Sequence, residues 1–244
     1  MGAIDLHARP SADFDDKLRE TENVLRRAAS EFGRVTQASS LGAEDVVITY
    51  LIAALGLDIS VFVLETGALH EETLALLRRT QEAGHVQVRV FQPVQESVVH
   101  FVGREGKDAM YKSIELRKAC CQIRKVEPLG RALEGHQGWI TGLRREQSNA
   151  RAEVPLIDTS EARIKFNPLA DWTWGDVWHY IATRGVDYNP LHDQFYPSIG
   201  CAPCTRAISL GEDFRAGRWW WEDEAAKECG LHVKKDETKE EASA

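Results

Sequence analysis

The sequence has little of what marks an exported or membrane-embedded protein. It holds only five cysteines in 244 residues, and no apolar run approaches the ~20 residues that a membrane-spanning helix needs. The first seven residues include an acid and lack the apolar stretch of a secretory signal. A framework of disulfide bonds is therefore not expected, and the reducing cytoplasm is the expected compartment.

The charge balance argues against a general nucleic-acid surface. Thirty basic and 38 acidic residues give a formal net charge of −8, whereas binding to phosphate backbones needs a positive surface. Eight of the acidic residues lie at positions 222–244, beside four lysines. We expect residues 1–221 to form one α/β domain and residues 222–244 to form a mobile C-terminal segment.

Strands and helices alternate along most of the chain. Apolar, β-branched stretches predict strands at residues 35–38, 59–64, 86–91 and 139–143. Helical spacing of apolar residues predicts helices at residues 11–32 (with Ser11 as the N-cap), 46–55, 71–83, 94–102 and 113–133. Residues 173–176 resemble a capping box that opens a further helix. The alternation is typical of a doubly wound, mostly parallel sheet, whose ligands lie beyond the carboxyl ends of the strands.

Four of the five cysteines form two close pairs. Cys120 and Cys121 are adjacent, and Cys201 and Cys204 form a Cys-x-x-Cys pair. A tetrahedral zinc site, a redox or structural thiol pair, and a 4Fe–4S cluster all stay open. Adjacent cysteines on a helix point about 100° apart, which suits a single zinc ion poorly. The spacing favours the cluster, because it offers each thiolate its own iron.

The stretch at residues 39–45 has the composition of an anion-binding loop. It joins a predicted strand to a predicted helix, where backbone N–H groups favour negative charge. It matches neither a Walker A loop nor a dinucleotide fingerprint, and an ordinary serine-capped turn is the alternative. The candidate substrate contacts in this loop are Ser39, Ser40 and Gly42.

Polar and basic residues follow the ends of other predicted elements. Glu65, Thr66 and Gly67 come after the second strand, in a position to contact a base or ribose. Arginines follow the fourth strand and the Cys-x-x-Cys pair, and together they would suit a dianionic group. An arginine taken singly is more often a surface residue. These candidate arginines are Arg144, Arg215 and Arg218.

Taken together, these motifs resemble the assimilatory sulfonucleotide reductases, and among them the iron–sulfur type that acts on adenylyl sulfate (APS). The loop at 39–45 by itself resembles the phosphate loop of the adenine-nucleotide α-hydrolase group. The matching stretches stand in the family's order and cover about residues 39 to 232: residues 39–45, 120–125, 142–148, 168–172, 200–206 and 228–232.

The resemblance implies a fold, a cofactor and a reaction. The fold would be of the adenine-nucleotide α-hydrolase type, and Cys120, Cys121, Cys201 and Cys204 would hold a 4Fe–4S cluster. Cys229 would attack the sulfur of APS to form an S-sulfocysteine and release AMP. Thioredoxin would then release sulfite from that adduct, as in sulfate assimilation for cysteine biosynthesis.

The resemblance also implies roles for two further residues. Lys125 would bridge the neighbourhood of the cluster and the sulfate end of the substrate, and His232 would bind substrate. The turn after the second strand departs from the family pattern Leu-Asp-Thr-Gly-Arg, because Glu65 and Ala68 stand in it. A positive charge at position 68 is therefore not expected.

Three rival functions are weighed. A reductase of the 3′-phosphorylated nucleotide (PAPS) generally lacks the cluster cysteines, which favours APS. An RNA-thiolating ATP pyrophosphatase would want a basic surface and a lysine in its loop, and this sequence shows neither. A zinc-binding interaction module is the alternative outside enzymes. No membrane and no nucleic acid are expected as partners, and a homo-oligomer is compatible with the sequence.

Overall fold

The computed structural model describes residues 2–209 and 211–222, and its centre is a six-stranded sheet. The strands are β1 (Val35–Ser39), β2 (Ser60–Leu64), β3 (Val88–Phe91), β4 (Gly138–Ile140), β5 (Ile157–Asp158) and β6 (Ile164–Phe166). Their order across the sheet is β3-β2-β1-β4-β6-β5. All neighbours pair in parallel except β5, which runs antiparallel to β6. The predicted doubly wound, mostly parallel sheet is confirmed.

Eight α-helices surround the sheet in the described part of the chain. They are α1 (Ala3–His7), α2 (Phe14–Glu31), α3 (Ala43–Ala54), α4 (Glu71–Ala83), α5 (Gln95–Glu105), α6 (Ile114–Cys121), α7 (Glu127–Ala132) and α8 (Trp174–Arg184). A π-helical turn, Gln122–Val126, joins α6 to α7. Of the helices described, none is long and apolar enough to cross a membrane.

The two faces of the sheet bury different apolar clusters. On one face Val63 and Ile140 pack with residues of α2, α3 and α8, and on the other Phe62 and Trp139 pack against the end of α7. Alternate residues of a strand point to opposite faces, so both faces of the central strands are covered. Each large side chain so buried contributes about 1.5–3 kcal/mol.

The start of α2 differs from the sequence prediction. The N-cap position is Asp13, and the predicted cap, Ser11, lies outside the helix. The Ser11 hydroxyl donates instead to Asp176 at 2.9 Å, which joins the start of the chain to the first turn of α8. The predicted capping box at Thr173 is confirmed, since Asp176 N donates to its hydroxyl at 3.0 Å.

β4 ends at Ile140, three residues earlier than predicted, although Thr141 N still donates to Phe166 O at 2.9 Å. A Cβ atom at Gly142 would lie 2.5 Å from Asp45 Oδ1. The Thr141 hydroxyl donates to Asn167 at 2.6 Å, and Leu143 N donates back to the same hydroxyl at 3.4 Å. The segment after β4 is therefore fixed by the Thr141 hydroxyl and by the close approach of Gly142 to Asp45.

Candidate active site

A cavity of 210 Å³, here called the cleft, lies at the carboxyl edge of the sheet. The loops after β1, β2 and β4 meet there with the segment around the Cys-x-x-Cys pair. Seven of the predicted substrate-binding residues line it: Ser39, Ser40, Gly42, Thr66, Lys125, Arg215 and Arg218. Residues chosen from separate stretches of the sequence thus share one cavity, as expected at the strand ends of such a sheet.

The hydroxyls and amides of the loop after β1 are already paired within the protein. Ser40 donates from both its backbone N and its Oγ to Asp45 Oδ2, each at 2.6 Å. Leu41 N donates to Ser39 Oγ at 3.2 Å, and Gly42 N donates to Ser40 Oγ at 3.3 Å. An anion that enters this loop must therefore replace serine contacts or use other donors of the cleft.

His192, which the sequence analysis did not single out, fixes the start of α3. Its Nε2 accepts a hydrogen bond from Ala43 N at 3.2 Å. The ring is buried between Trp174 and Trp178, and burial lowers its pKa to about 4. The imidazole is therefore neutral at neutral pH, which leaves Nε2 free to accept.

The turn after β2 is bonded to the Cys-x-x-Cys loop. Thr66 Oγ1 lies 3.2 Å from Cys201 Sγ, and Ala202 N donates to Ala68 O at 2.7 Å. Arg124 Nη1 donates to Thr66 O at 2.6 Å. The small side chain of Ala68 packs against the apolar cluster that contains the four cysteines. Position 68, where the family pattern has arginine, thus carries an apolar residue in contact with this cluster.

Glu65 and Gly67 are not among the described residues that line the cleft. The Glu65 carboxylate accepts from Gly67 N at 2.7 Å and from Gln92 at 2.9 Å. Gly67 has φ of 67°, a left-handed conformation that glycine adopts readily. These contacts shape the turn, and direct contact of either residue with substrate stays a prediction.

Arg218 is a buried cation on the wall of the cleft. It is 7% exposed, its Nη1 lies 3.3 Å from Ser198 Oγ, and its guanidinium carbon lies 4.6 Å from the Trp219 ring centre. Its Nε has no hydrogen-bond partner within the described residues. Gly200 makes room for it, since a Cβ there would lie 2.5 Å from Arg218 Nη2. An anion in the cleft would provide the missing acceptor.

Arg144 is buried in ion pairs and is not among the described residues lining the cleft. Its Nε donates to Glu44 Oε1 at 2.9 Å and its Nη1 to Glu146 Oε2 at 2.7 Å. The bond to Glu44 joins the loop after β4 to the first turn of α3, and the bond to Glu146 lies within that loop. Direct contact of Arg144 with substrate stays a prediction, and the contacts of its side chain are those of a residue that positions the loop.

Two residues of the same loop that were not predicted do line the cleft. Gln147 and Arg151 face it, and Arg151 Nη1 donates to Gln147 Oε1 at 2.6 Å. The two residues stand four positions apart in a polar stretch, and this was the feature of the sequence that could have indicated them. Sequence reasoning chose the arginine next to the predicted strand end and overlooked the one seven residues later.

The four paired cysteines surround a second cavity of 230 Å³, here called the cysteine cavity. Each of them is only 7–8% exposed. Burial raises the pKa of Cys120, and it raises that of Cys204 to about 12. In the described part of the chain, no three Cys, His, Asp or Glu side chains are gathered closely enough to hold a single metal ion. The four thiols instead line one shared space.

Lys125 and Trp219 line both cavities. Lys125 belongs to the π-helical turn, a feature that often marks functional sites and that the sequence analysis did not foresee. Trp219 is 1% exposed, and the guanidinium of Arg117 lies 4.7 Å from its ring centre. The cleft and the cysteine cavity are therefore neighbours with a common wall.

The end of the described chain is fixed beside this wall. Arg117 forms a two-point ion pair with Glu222, with Nε–Oε1 at 2.9 Å and Nη2–Oε2 at 2.7 Å. Both side chains are at most 3% exposed. The two other predicted site residues, Cys229 and His232, lie outside the described residues.

Asp45 predicts a testable pH dependence of stability. Burial raises the pKa of its carboxyl group from 3.8 to about 6, although hydrogen bonds from Ser40 oppose the shift. The folded state binds this proton more tightly than the unfolded state does, so protonation of Asp45 stabilises the fold. This stabilisation is fully present below pH 3.8 and is lost as the pH rises through about 6. The wild-type protein should therefore lose stability over this range while Asp45→Asn does not. The difference in free energy of unfolding between the two should shift in favour of Asp45→Asn by on the order of 2 kcal/mol from pH 4 to pH 7.

Urea unfolding of both proteins at pH 4, 5, 6 and 7 measures this difference. The amide oxygen of Asn can accept both bonds from Ser40, which go to one carboxylate oxygen, Oδ2. The bond from the Gly142 backbone is lost, so a constant offset of about 1 kcal/mol is expected at every pH. If the free energies of unfolding of the two proteins changed with pH in parallel, the proposed rise in the pKa of Asp45 would be refuted.

Comparison with known proteins identifies relatives along most of the chain. A family described as the phosphoadenosine phosphosulfate reductase domain matches residues 34–207. A protein of Neisseria meningitidis named adenosine 5′-phosphosulfate reductase is 50% identical over 220 residues, covering 89% of this chain and 90% of its own. Its namesake in Burkholderia cepacia is 50% identical over 219 residues, covering 89% of this chain and 88% of its own.

Solved structures support the fold. The crystal structure of a phosphoadenylyl-sulfate reductase from Candida auris, a phosphate complex, superposes with a TM-score of 0.63 at 27% identity, covering 80% of this chain and 97% of its own. An FMN adenylyltransferase from Candida glabrata superposes with a TM-score of 0.51 at 11% identity, covering 86% of this chain and 74% of its own. The second likeness concerns the fold alone and agrees with the predicted adenine-nucleotide α-hydrolase type. With its shared cleft, its paired cysteines and these relatives, the chain belongs to the phosphoadenosine phosphosulfate reductase family of oxidoreductases.

Proposed function

We propose that the protein reduces APS to sulfite and AMP, with a dithiol protein of the thioredoxin type as electron donor. The observation that carries the proposal is the common wall of Lys125 and Trp219 between a cation-lined cleft and four buried cysteines. A nucleotide at the strand ends would place its phosphosulfate near this wall. The names of the relatives at about half identity support APS as the substrate.

The reaction proceeds by nucleophilic catalysis and thiol exchange. The Cys229 thiolate attacks the sulfur of APS, the sulfur–oxygen bond breaks, and AMP leaves with the bonding electron pair. A thiolate of the donor then attacks Cys229 Sγ, and sulfite leaves with the electrons of the sulfur–sulfur bond. The second donor thiol attacks the mixed disulfide, which returns Cys229 and oxidises the donor.

The residues of the cysteine cavity fit a 4Fe–4S cluster. Four buried thiols line one space, and each could bind a separate iron of such a cluster. Thr66 Oγ1 lies within reach of Cys201 Sγ, and Trp219 Nε1, buried in the same apolar cluster, has no partner within the described residues. Both are groups that hydrogen-bond to ligating sulfur. When bound, the cluster would contribute charge and structural support beside the cleft.

The cleft residues bind and orient the substrate. Lys125, Arg215 and Arg218 supply positive charge to the phosphosulfate. Ser39 supplies a hydroxyl donor, and Ser40 does so by exchanging its bond to Asp45 for one to the substrate. Because these groups are held in place before the substrate arrives, they stabilise the charge that develops on the leaving AMP oxygen. Lys125 is suited to the sulfate end, since it also faces the cysteine cavity.

The test of the proposal is sulfite release from APS and from PAPS under anaerobic conditions, with thioredoxin and thioredoxin reductase present. Sulfite and AMP should form in equal amounts from APS, with a clear preference over PAPS. Equal turnover of both nucleotides would contradict the preference, and no sulfite from either would contradict the function.

Arg218→Ala should lower kcat/KM for APS by roughly 30- to 1,000-fold, the loss expected for one buried charge-assisted donor. Arg218→Lys restores the charge without the planar fork, so its loss should be smaller. Arg184→Ala is the matched control, because Arg184 is an exposed arginine at the end of α8. Steady-state kinetics with measured iron content checks this, and a wild-type value in Arg218→Ala would remove the residue from the site.

The reducing chemistry fits the cytoplasm, which we propose as the compartment. The division into a domain of residues 1–221 and a C-terminal segment of residues 222–244 stays a prediction, as does a homo-oligomeric state. Glu222 is bonded to α6 through Arg117, so the described domain extends through at least this residue.

A further inference from the structure

Three aromatic rings, Tyr111, Trp220 and Trp221, form a partly exposed patch next to the Cys-x-x-Cys loop. The ring centres of Tyr111 and Trp221 lie 4.5 Å apart, and those of Trp220 and Trp221 lie 4.8 Å apart. Tyr111 is 42% exposed and Trp220 is 39% exposed. The Tyr111 hydroxyl donates to Pro203 O at 2.5 Å. We call these three rings the aromatic patch.

The aromatic patch takes no part in the functions assigned above. None of its three residues is among the described residues lining the cleft or the cysteine cavity. Trp221 packs against the apolar cluster that holds the cysteines and Trp219, so Tyr111 and Trp220 are the more exposed members of the patch. Clustered aromatic side chains that stay in contact with water are typical of sites where a protein partner binds.

The course of the chain places the patch near the reacting cysteine. Glu222 follows Trp221 directly and is held by Arg117. Cys229 stands seven residues further on, and at about 3.4 Å per residue it lies no more than about 24 Å from Glu222. That distance is within the diameter of a small protein. A protein that reacts with Cys229 can therefore contact the patch at the same time.

We propose that the aromatic patch is the docking surface for the dithiol protein that reduces the Cys229 adduct. This rests on the proposed function, which requires such a donor to reach Cys229 in each catalytic cycle. The donor's thiolate attacks Cys229 Sγ while sulfite leaves, and its second thiol then closes the donor disulfide. Tyr and Trp are the side chains that most often anchor interfaces, because their large rigid rings lose little conformational entropy on binding.

The experiment compares a protein donor with a small dithiol. Sulfite release is measured at saturating APS, first with increasing thioredoxin and then with dithiothreitol as the reductant. Trp220→Ala and Tyr111→Ala should each raise KM for thioredoxin roughly 10- to 30-fold, the loss of one aromatic hot spot. The rate with dithiothreitol should stay at the wild-type level. Expressing each result as the ratio of the two rates cancels any loss of iron.

Two control variants separate docking from structure. Tyr50→Ala removes a tyrosine that is 37% exposed on α3, and it should leave both rates unchanged. Tyr111→Phe keeps the ring but loses the bond to Pro203, and it should retain the wild-type KM for thioredoxin. Tyr50→Ala controls for the loss of any exposed tyrosine, and Tyr111→Phe controls for the loss of the hydroxyl. An effect seen only in Tyr111→Ala is then due to the ring at position 111.

Several results would overturn the inference. One is an unchanged KM for thioredoxin in the Trp220→Ala, Tyr111→Ala double variant. Another is an equal fall in the rate of sulfite release with thioredoxin and with dithiothreitol, which would show that the patch affects catalysis and not docking. A smaller oligomer on size-exclusion chromatography of the variants would assign the patch to contact with a second copy. Absence of sulfite with either donor in the wild-type protein would instead refute the proposed function itself.

Discussion

Replacing any one of Cys120, Cys121, Cys201 or Cys204 by serine should remove most of the iron and sulfide and abolish APS reduction. All four thiols line one buried cavity, and each would hold its own iron. A serine hydroxyl loses its proton far less readily than a thiol, so it is a weak replacement in an apolar site. Iron and sulfide analysis and the absorption band near ~400 nm of anaerobically purified protein measure the effect.

The fifth cysteine provides the matched control. Cys229→Ser should keep the full iron content, because Cys229 is not one of the four ligands. Full clusters in both the Cys120→Ser and the Cys121→Ser proteins would refute the ligand assignment. A colourless wild-type protein that contains one zinc per chain would refute the cluster and restore the zinc alternative.

The elements that sequence predicted best are those with strong local signals. The helix at residues 71–83 was predicted at its observed bounds, since Gly84 ends it at φ of 67°. The first strand was predicted one residue short of Val35–Ser39. The two-residue strand β5 and its partner β6 were missed, because strands this short carry no readable alternation and exist through pairing with each other and with β4.

The predicted helix at residues 113–133 shows where local pattern fails. The chain is helical throughout, but a π-helical turn interrupts it directly after Cys121. Lys125 lies in this turn and lines both cavities. Apolar spacing cannot reveal the turn, because the sequence pattern assumes the regular period of an α-helix.

The sequence predicted the types of residue in the candidate site better than it predicted the contacts that these residues make. The loops after β1 and β2 were chosen from residue type and strand-end position, and Arg218 from its place after the Cys-x-x-Cys pair. Ser39, Ser40, Gly42, Thr66 and Arg218 of this set line the cleft. The burial of Arg144 against Glu44 could not be foreseen, because the two residues stand 100 positions apart. The ion pair of Arg117 with Glu222, 105 positions apart, was hidden for the same reason. Contacts across such distances depend on the assembled fold.

The Cys229→Ser protein should bind APS and keep its cluster, yet release no sulfite. Serine lacks the nucleophilic thiolate that takes over the sulfo group from APS. Retained binding is expected because the seven predicted substrate-binding residues that line the cleft are unchanged in this variant. Equilibrium binding of AMP, iron content and sulfite release measure the three properties on one sample. Sulfite turnover by this variant would refute the assignment of the nucleophile.

Incubating the wild-type protein with APS in the absence of thioredoxin should add about 80 Da, one sulfite-derived group, to the peptide containing Cys229. Several acids stand near Cys229 in the sequence, and negative charge disfavours a thiolate. The structure removes one of them from that balance, since Glu222 is buried in an ion pair with Arg117. The remaining acids make a reactive thiolate dependent on cations of the cleft, so Arg218→Ala should also slow formation of the adduct. Mass spectrometry of the digested protein locates it, and an adduct on any other cysteine would overturn the mechanism.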